Sequence, residues 1–106
     1  MKRMLARLAL LAICLVFGLT PARAADAKQG KVIAERWCSG CHLVQHEQKT
    51  APTDQAPPFV TIAGRLGFDA GKLALLLLEP HPNMPKLSLS RSEVADLAEY
   101  IRTLPR

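Results

Sequence analysis

Toward the C-terminus, Val94, Leu97, Ile101 and Leu104 recur at intervals of three and four residues, the spacing that puts side chains on one face of a helix. Ser90 and Glu93 precede them as an S-x-x-E pair and Pro105 follows, so a helix begins at a capping box and ends at the proline. A second helix is predicted from Asp69 through the apolar run Leu73 to Leu78, stopped by Pro80. A third, first in chain order, starts at Asp26, whose carboxylate can cap orphan amides with Gln29 three residues on, and runs toward Cys38. No alternation of apolar and polar residues is long enough for a sheet, which predicts an all-α fold.

The connections are as telling as the helices. His46 to Gly64 carries Pro52, Pro57 and Pro58 and is predicted to lack regular structure over nineteen residues. A connection that long in a small domain is functional or wraps around something. Pro80-His81-Pro82-Asn83-Met84-Pro85 holds three prolines in six residues, and each removes an amide donor and disfavours helix before it. That segment is expected to be a stiff extended loop presenting Met84.

The N-terminus reads differently. Lys2, Arg3 and Arg7 precede an apolar run of twelve residues, Leu8 to Leu19, and Ala22-Arg23-Ala24 has the A-x-A form. These are the three regions of a secretory signal peptide, so residues 1–24 are expected to be cleaved and 25–106 to form one domain. The rival reading is a retained anchor, but the run falls short of the roughly 20 residues a spanning helix needs. Cys14 lies inside the run, behind bulky Ile13, and leaves with it.

Cleavage changes the charge. Four of the fourteen basic residues and none of the nine acidic ones lie in 1–24, so the net charge of +5 falls to +1. That near-neutral domain gives no basis for nucleic-acid binding. Its 82 residues contain only Trp37, Phe59, Phe68 and Tyr100 as aromatics. A core that thin commonly relies on a disulfide, metal or cofactor.

Two cysteines remain, in Cys38-Ser39-Gly40-Cys41-His42. C-x-x-C-H is the pattern of c-type haem attachment: two thiols add to the vinyl groups of one porphyrin edge, and the next histidine sits under the iron. A redox or structural C-x-x-C disulfide would not need the histidine and would want strands around it. A zinc site would want a second ligand pair, which His46 and His81 supply poorly. With Met1 and Met4 gone, Met84 is the one methionine left. Methionine is usually core filler on a helix stripe, but this one stands between prolines in a loop, which favours it as the second axial ligand of a Met/His pair. His81 is the competing ligand, since imidazole also binds iron well.

On these residues the chain resembles the class I c-type cytochromes, small monohaem proteins, over nearly all of residues 25–106. The resemblance implies a cytochrome c fold of about three main helices around one covalent haem c, joined to Cys38 and Cys41 with His42 and Met84 on the iron. It also implies that Gly30, eight residues before Cys38, packs against Tyr100 where the terminal helices cross. Pro57, with Pro58 as fallback, matches the proline whose carbonyl accepts from the proximal histidine, and Arg65 the arginine facing a haem propionate. The family's bulky aromatic four residues after the helix glycine is replaced by Ala34, and Trp37 is expected to fill some of that volume.

A haem with both axial positions filled passes electrons and does not activate small molecules. The expected function is periplasmic single-electron transfer at positive potential between redox proteins, with neither a nucleic-acid partner nor a small-molecule substrate of its own. A membrane respiratory complex is one expected class of partner. The alternative is a dedicated electron-accepting subunit of a periplasmic dehydrogenase; a haem sensor exchanging Met84 for a gas is weaker. Lys49, Lys72 and Lys86 are candidates for a docking patch, with ordinary solvated lysines as the plain reading.

Overall fold

Helix α1, Ala27–Ile33, starts where the sequence predicts. In the computed structural model, which describes residues 1, 3, 7, 22–49, 56–65, 67–79 and 83–105, the Asp26 carboxylate accepts from the amides of Lys28 and Gln29 at 2.8 and 3.4 Å. Most of the predicted signal peptide, together with Pro52, Pro80, His81 and Pro82, lies outside the described residues. Past Ile33 the helix widens into a π-helical turn, Ala34–Cys38, closed by a bond from the Ser39 amide to the Ala34 carbonyl at 3.0 Å. Such widened turns concentrate at functional sites.

Gly30, Ala34 and Cys38 are buried at four-residue intervals along this element. Trp37 is not among them: it stays 53% exposed, with the Arg36 guanidinium 5.2 Å from its ring centroid. The expectation that Trp37 fills the space left by Ala34 is therefore corrected. The i→i+5 bonding of the widened turn reduces the rotation per residue, and position 37 falls behind the inward face.

A second correction concerns the long connection. It contains a short helix, α2, Phe59–Ala63, with Phe59, Ile62 and Ala63 buried. The Pro58 carbonyl accepts from the amides of Thr61 and Ile62 at 3.0 and 3.2 Å. Three of its five residues enter the core, so burial rather than intrinsic propensity selects the helix, and a five-residue pattern is too short to read in advance.

Helix α3, Ala70–Leu78, is capped by Asp69, which accepts from the Lys72 amide at 2.8 Å. Helix α4, Arg91–Thr103, opens on the predicted box: Ser90 Oγ accepts from the Glu93 amide at 3.2 Å and Glu93 Oε2 from the Ser90 amide at 2.7 Å. All of Val94, Leu97, Ala98, Tyr100 and Ile101 are buried on it. The first three helices in chain order each pack on α4, with α1 making the most extensive crossing. No strand occurs among the described residues, so the all-α reading stands.

At the α1/α4 crossing a β-carbon on Gly30 would come within 2.6 Å of the Asp96 carbonyl carbon and 2.7 Å of Tyr100 Cβ. Gly30 and Tyr100 therefore meet as expected, and the backbone at Asp96 joins them. The Tyr100 hydroxyl donates to the Val44 carbonyl at 2.9 Å, tying the crossing to the segment after His42. Burial, and then the negative charge of Glu35, push its phenol above the usual value.

Candidate functional site

Between the elements lies a cavity of about 270 Å³ to which the widened turn, α2, α3 and α4 all contribute. Cys38 ends the widened turn and faces into it, while Cys41, three residues on, is exposed and outside the lining. Both thiols are free. Burial raises the Cys38 thiol to about 11, because the cavity wall solvates a thiolate poorly.

His42 lines the same cavity, and its orientation follows from one bond. Its Nδ1 lies 2.8 Å from the Pro57 carbonyl oxygen. A carbonyl can only accept, so Nδ1 carries the proton and Nε2 keeps its lone pair. Phe59 flanks the ring at 5.5 Å between centroids with a 53° tilt, and its amide donates to the Leu43 carbonyl at 2.9 Å. The imidazole is thus held by groups fifteen and seventeen residues away.

Sequence reasoning missed the brace beneath this turn. Gln48 Oε1 accepts from the Val44 amide at 3.0 Å, while Gln48 Nε2 donates to the carbonyls of Ser39 and His42 at 3.3 and 3.1 Å. One amide side chain thereby holds both ends of the segment bearing His42. A glutamine in a polar run carries no signal of such a role. Phe59 and Ile62 were missed as lining for the same reason that α2 was missed.

Met84 is half-buried and lines the cavity that His42 lines. Asn83 before it takes a left-handed backbone, φ 70°, a conformation asparagine tolerates better than most residues. Arg65 is exposed at the rim, and Leu73, Leu97 and Ile101 form apolar wall. His46 stands apart, with Nε2 3.3 Å from the Pro105 carbonyl. Lys49, Lys72 and Lys86 are exposed.

These residues fit a covalent haem on chemical grounds. A thiol faces the cavity with a second three residues away, an imidazole presents an unprotonated nitrogen, a thioether shares the space, and an exposed guanidinium in the lining would suit a haem carboxylate. The Leu and Ile walls suit a flat apolar ring system.

Comparison with known proteins bears on the same features. Residues 27–105 match the family described as Cytochrome c. The chain is 46% identical over 96 residues to cytochrome c-552 of Bradyrhizobium diazoefficiens, covering 87% of this chain and 91% of that protein. No solved structure matches the chain.

Proposed function

The chain belongs to the cytochrome c family, and from that premise we propose that it is an exported, periplasmic one-electron carrier with His42 and Met84 as axial ligands of its haem. The cofactor is covalently attached haem c, and haem-based electron transfer between redox partners is the activity of such proteins. Attachment through Cys38 and Cys41, the axial pair and the cellular compartment are the finer parts of the proposal.

The observation that carries it is the bond from His42 Nδ1 to the Pro57 carbonyl. It leaves Nε2 unprotonated on a ring that lines the same cavity as Cys38 and Met84. A carbonyl partner on the far nitrogen fixes the ring and makes the imidazole a stronger donor. When bound, haem supplies a one-electron ferric/ferrous couple. Met84 favours the ferrous side more than a second imidazole would, and the apolar wall of Leu73, Leu97 and Ile101 disfavours the added ferric charge. Arg65 at the rim is suited to pairing with a propionate. With His42 and Met84 in place no coordination position is open to a small molecule, hence a carrier and not an enzyme.

The leader, residues 1–24, supports export, and cleavage after Ala24 makes Ala25 the first residue. No helix among the described residues is long and apolar enough to cross a membrane.

Spectra of the matured protein test the ligands. A thioether-to-iron charge-transfer band in the wild type, lost in Met84→Ala together with a fall in midpoint potential, is expected. If the band survives the substitution, the axial assignment is wrong.

A further inference from the structure

Asp96 is the one buried charged residue among those described, 3% exposed on α4 and away from the haem cavity. Its Oδ1 accepts from the Asp26 amide at 2.7 Å and its Oδ2 from Arg23 Nη2 at 3.1 Å. A carboxylate so enclosed is costly without a cationic partner. Yet Arg23 lies inside the predicted leader, on the side of the cleavage point that is lost.

The same hydrolysis supplies a replacement. Breaking the Ala24–Ala25 peptide bond consumes one water, leaves a carboxylate on Ala24 and, after protonation, an ammonium on Ala25. That nitrogen is separated from the Asp26 amide by one Cα and one carbonyl carbon, about 3 Å by covalent geometry. The Asp26 amide is already bonded to Asp96, so the new ammonium emerges beside the carboxylate that Arg23 leaves.

We propose that Asp96 is a binding site for the chain's own processed N-terminus, in which the α-ammonium of Ala25 replaces the Arg23 guanidinium of the precursor. This rests on cleavage after Ala24. The pairing keeps Asp96 charge-compensated, and α1 tied to α4, once Arg23 is gone; an amide-linked Ala25 nitrogen, carrying no charge, cannot take that part. An ammonium beside a carboxylate forms a charge-assisted hydrogen bond, stronger than one between neutral groups. The other charged groups lining the cleft are Arg36, engaged with Trp37, and Glu93, engaged with Ser90; the Asp26 carboxylate is turned to the Lys28 and Gln29 amides.

The test uses matured holoprotein. Intact mass identifies the first residue, and NMR titration of the isotopically dimethylated α-amine reads its environment. The expected result is a chain beginning at Ala25 whose amine titrates above the ordinary α-amine value and returns to it in Asp96→Asn. The visible spectrum reports whether that variant is folded; if it fails to mature, the wild-type titration decides alone. A mass that includes residues 1–24 would overturn the processing reading and the site with it. A chain beginning at Ala25 whose amine titrates normally overturns the site only, as does a raised value that Asp96→Asn leaves unchanged.

Discussion

A side chain at position 30 has nowhere to go: its first carbon would lie 2.6 Å from the Asp96 carbonyl carbon and 2.7 Å from Tyr100 Cβ, and neither is the free end of a flexible group. Gly30→Ala is therefore expected to force α1 off α4 and to destabilise the holoprotein by about 1–3 kcal/mol. Guanidinium denaturation checks this, and an unchanged transition midpoint would show that the helices separate without cost. The gain in helix propensity from alanine, about 1 kcal/mol, works in the opposite direction and is the smaller effect. His42 makes the same point with a polar group: its nitrogen is aimed by a single carbonyl on Pro57, fifteen residues away at the far end of the same connection.

Among the elements, α4 has the most explicit start and the most partners. Its box uses both directions of exchange between Ser90 and Glu93, and the two bonds from Ser90 hold the Glu93 carboxyl below its ordinary value of 4.5. A depressed folded-state value means that the contribution is complete above the ordinary carboxyl value and is lost as pH falls through the lower one. Ser90→Ala is expected to cost about 1 kcal/mol near neutrality and to flatten the dependence of stability on pH in the acid range. Thermal melts of wild type and variant from neutral to acid pH provide the measurement; parallel curves would mean that the Ser90 hydroxyl plays no part in the Glu93 titration and that the amide bond, which the variant keeps, carries it alone. Helix α2 shows the opposite balance, since nothing in Phe59–Ala63 caps it by a side chain and its place in the core sustains it.

For the molecule as a whole, the cavity is the central fact. The buried positions Leu97 and Ile101 on α4, Leu73 on α3 and Phe59 on α2 all line it, so the faces these helices would otherwise press together are turned toward the proposed cofactor site. A domain of this size has little other apolar area to bury. Replacing both proposed attachment cysteines, Cys38→Ala with Cys41→Ala, is expected to abolish covalent pigment and, with it, cooperative unfolding and most of the helical far-UV signal. Haem staining after denaturing electrophoresis and circular dichroism check the two halves; native-like melting of the pigment-free chain would overturn the view that the cofactor completes the core.

The amino-acid sequence alone determined what is local. Asp26, Asp69 and Ser90 begin their helices through hydrogen bonds spanning two or three residues, and the C-x-x-C-H spacing holds its chemistry within five positions whatever surrounds it. Resemblance, rather than pattern, pointed to Pro57 and to the pairing of Gly30 with Tyr100. Only the tertiary structure decided the rest: that Trp37 stays outside, that Phe59–Ala63 is a helix, that Gln48 braces the His42 turn, and that Asp96 is enclosed beside residue 26. Each of these depends on which distant segments meet, and the free energy of such meetings comes from burial and from satisfying buried polar groups across the chain, quantities that no short window of residues contains.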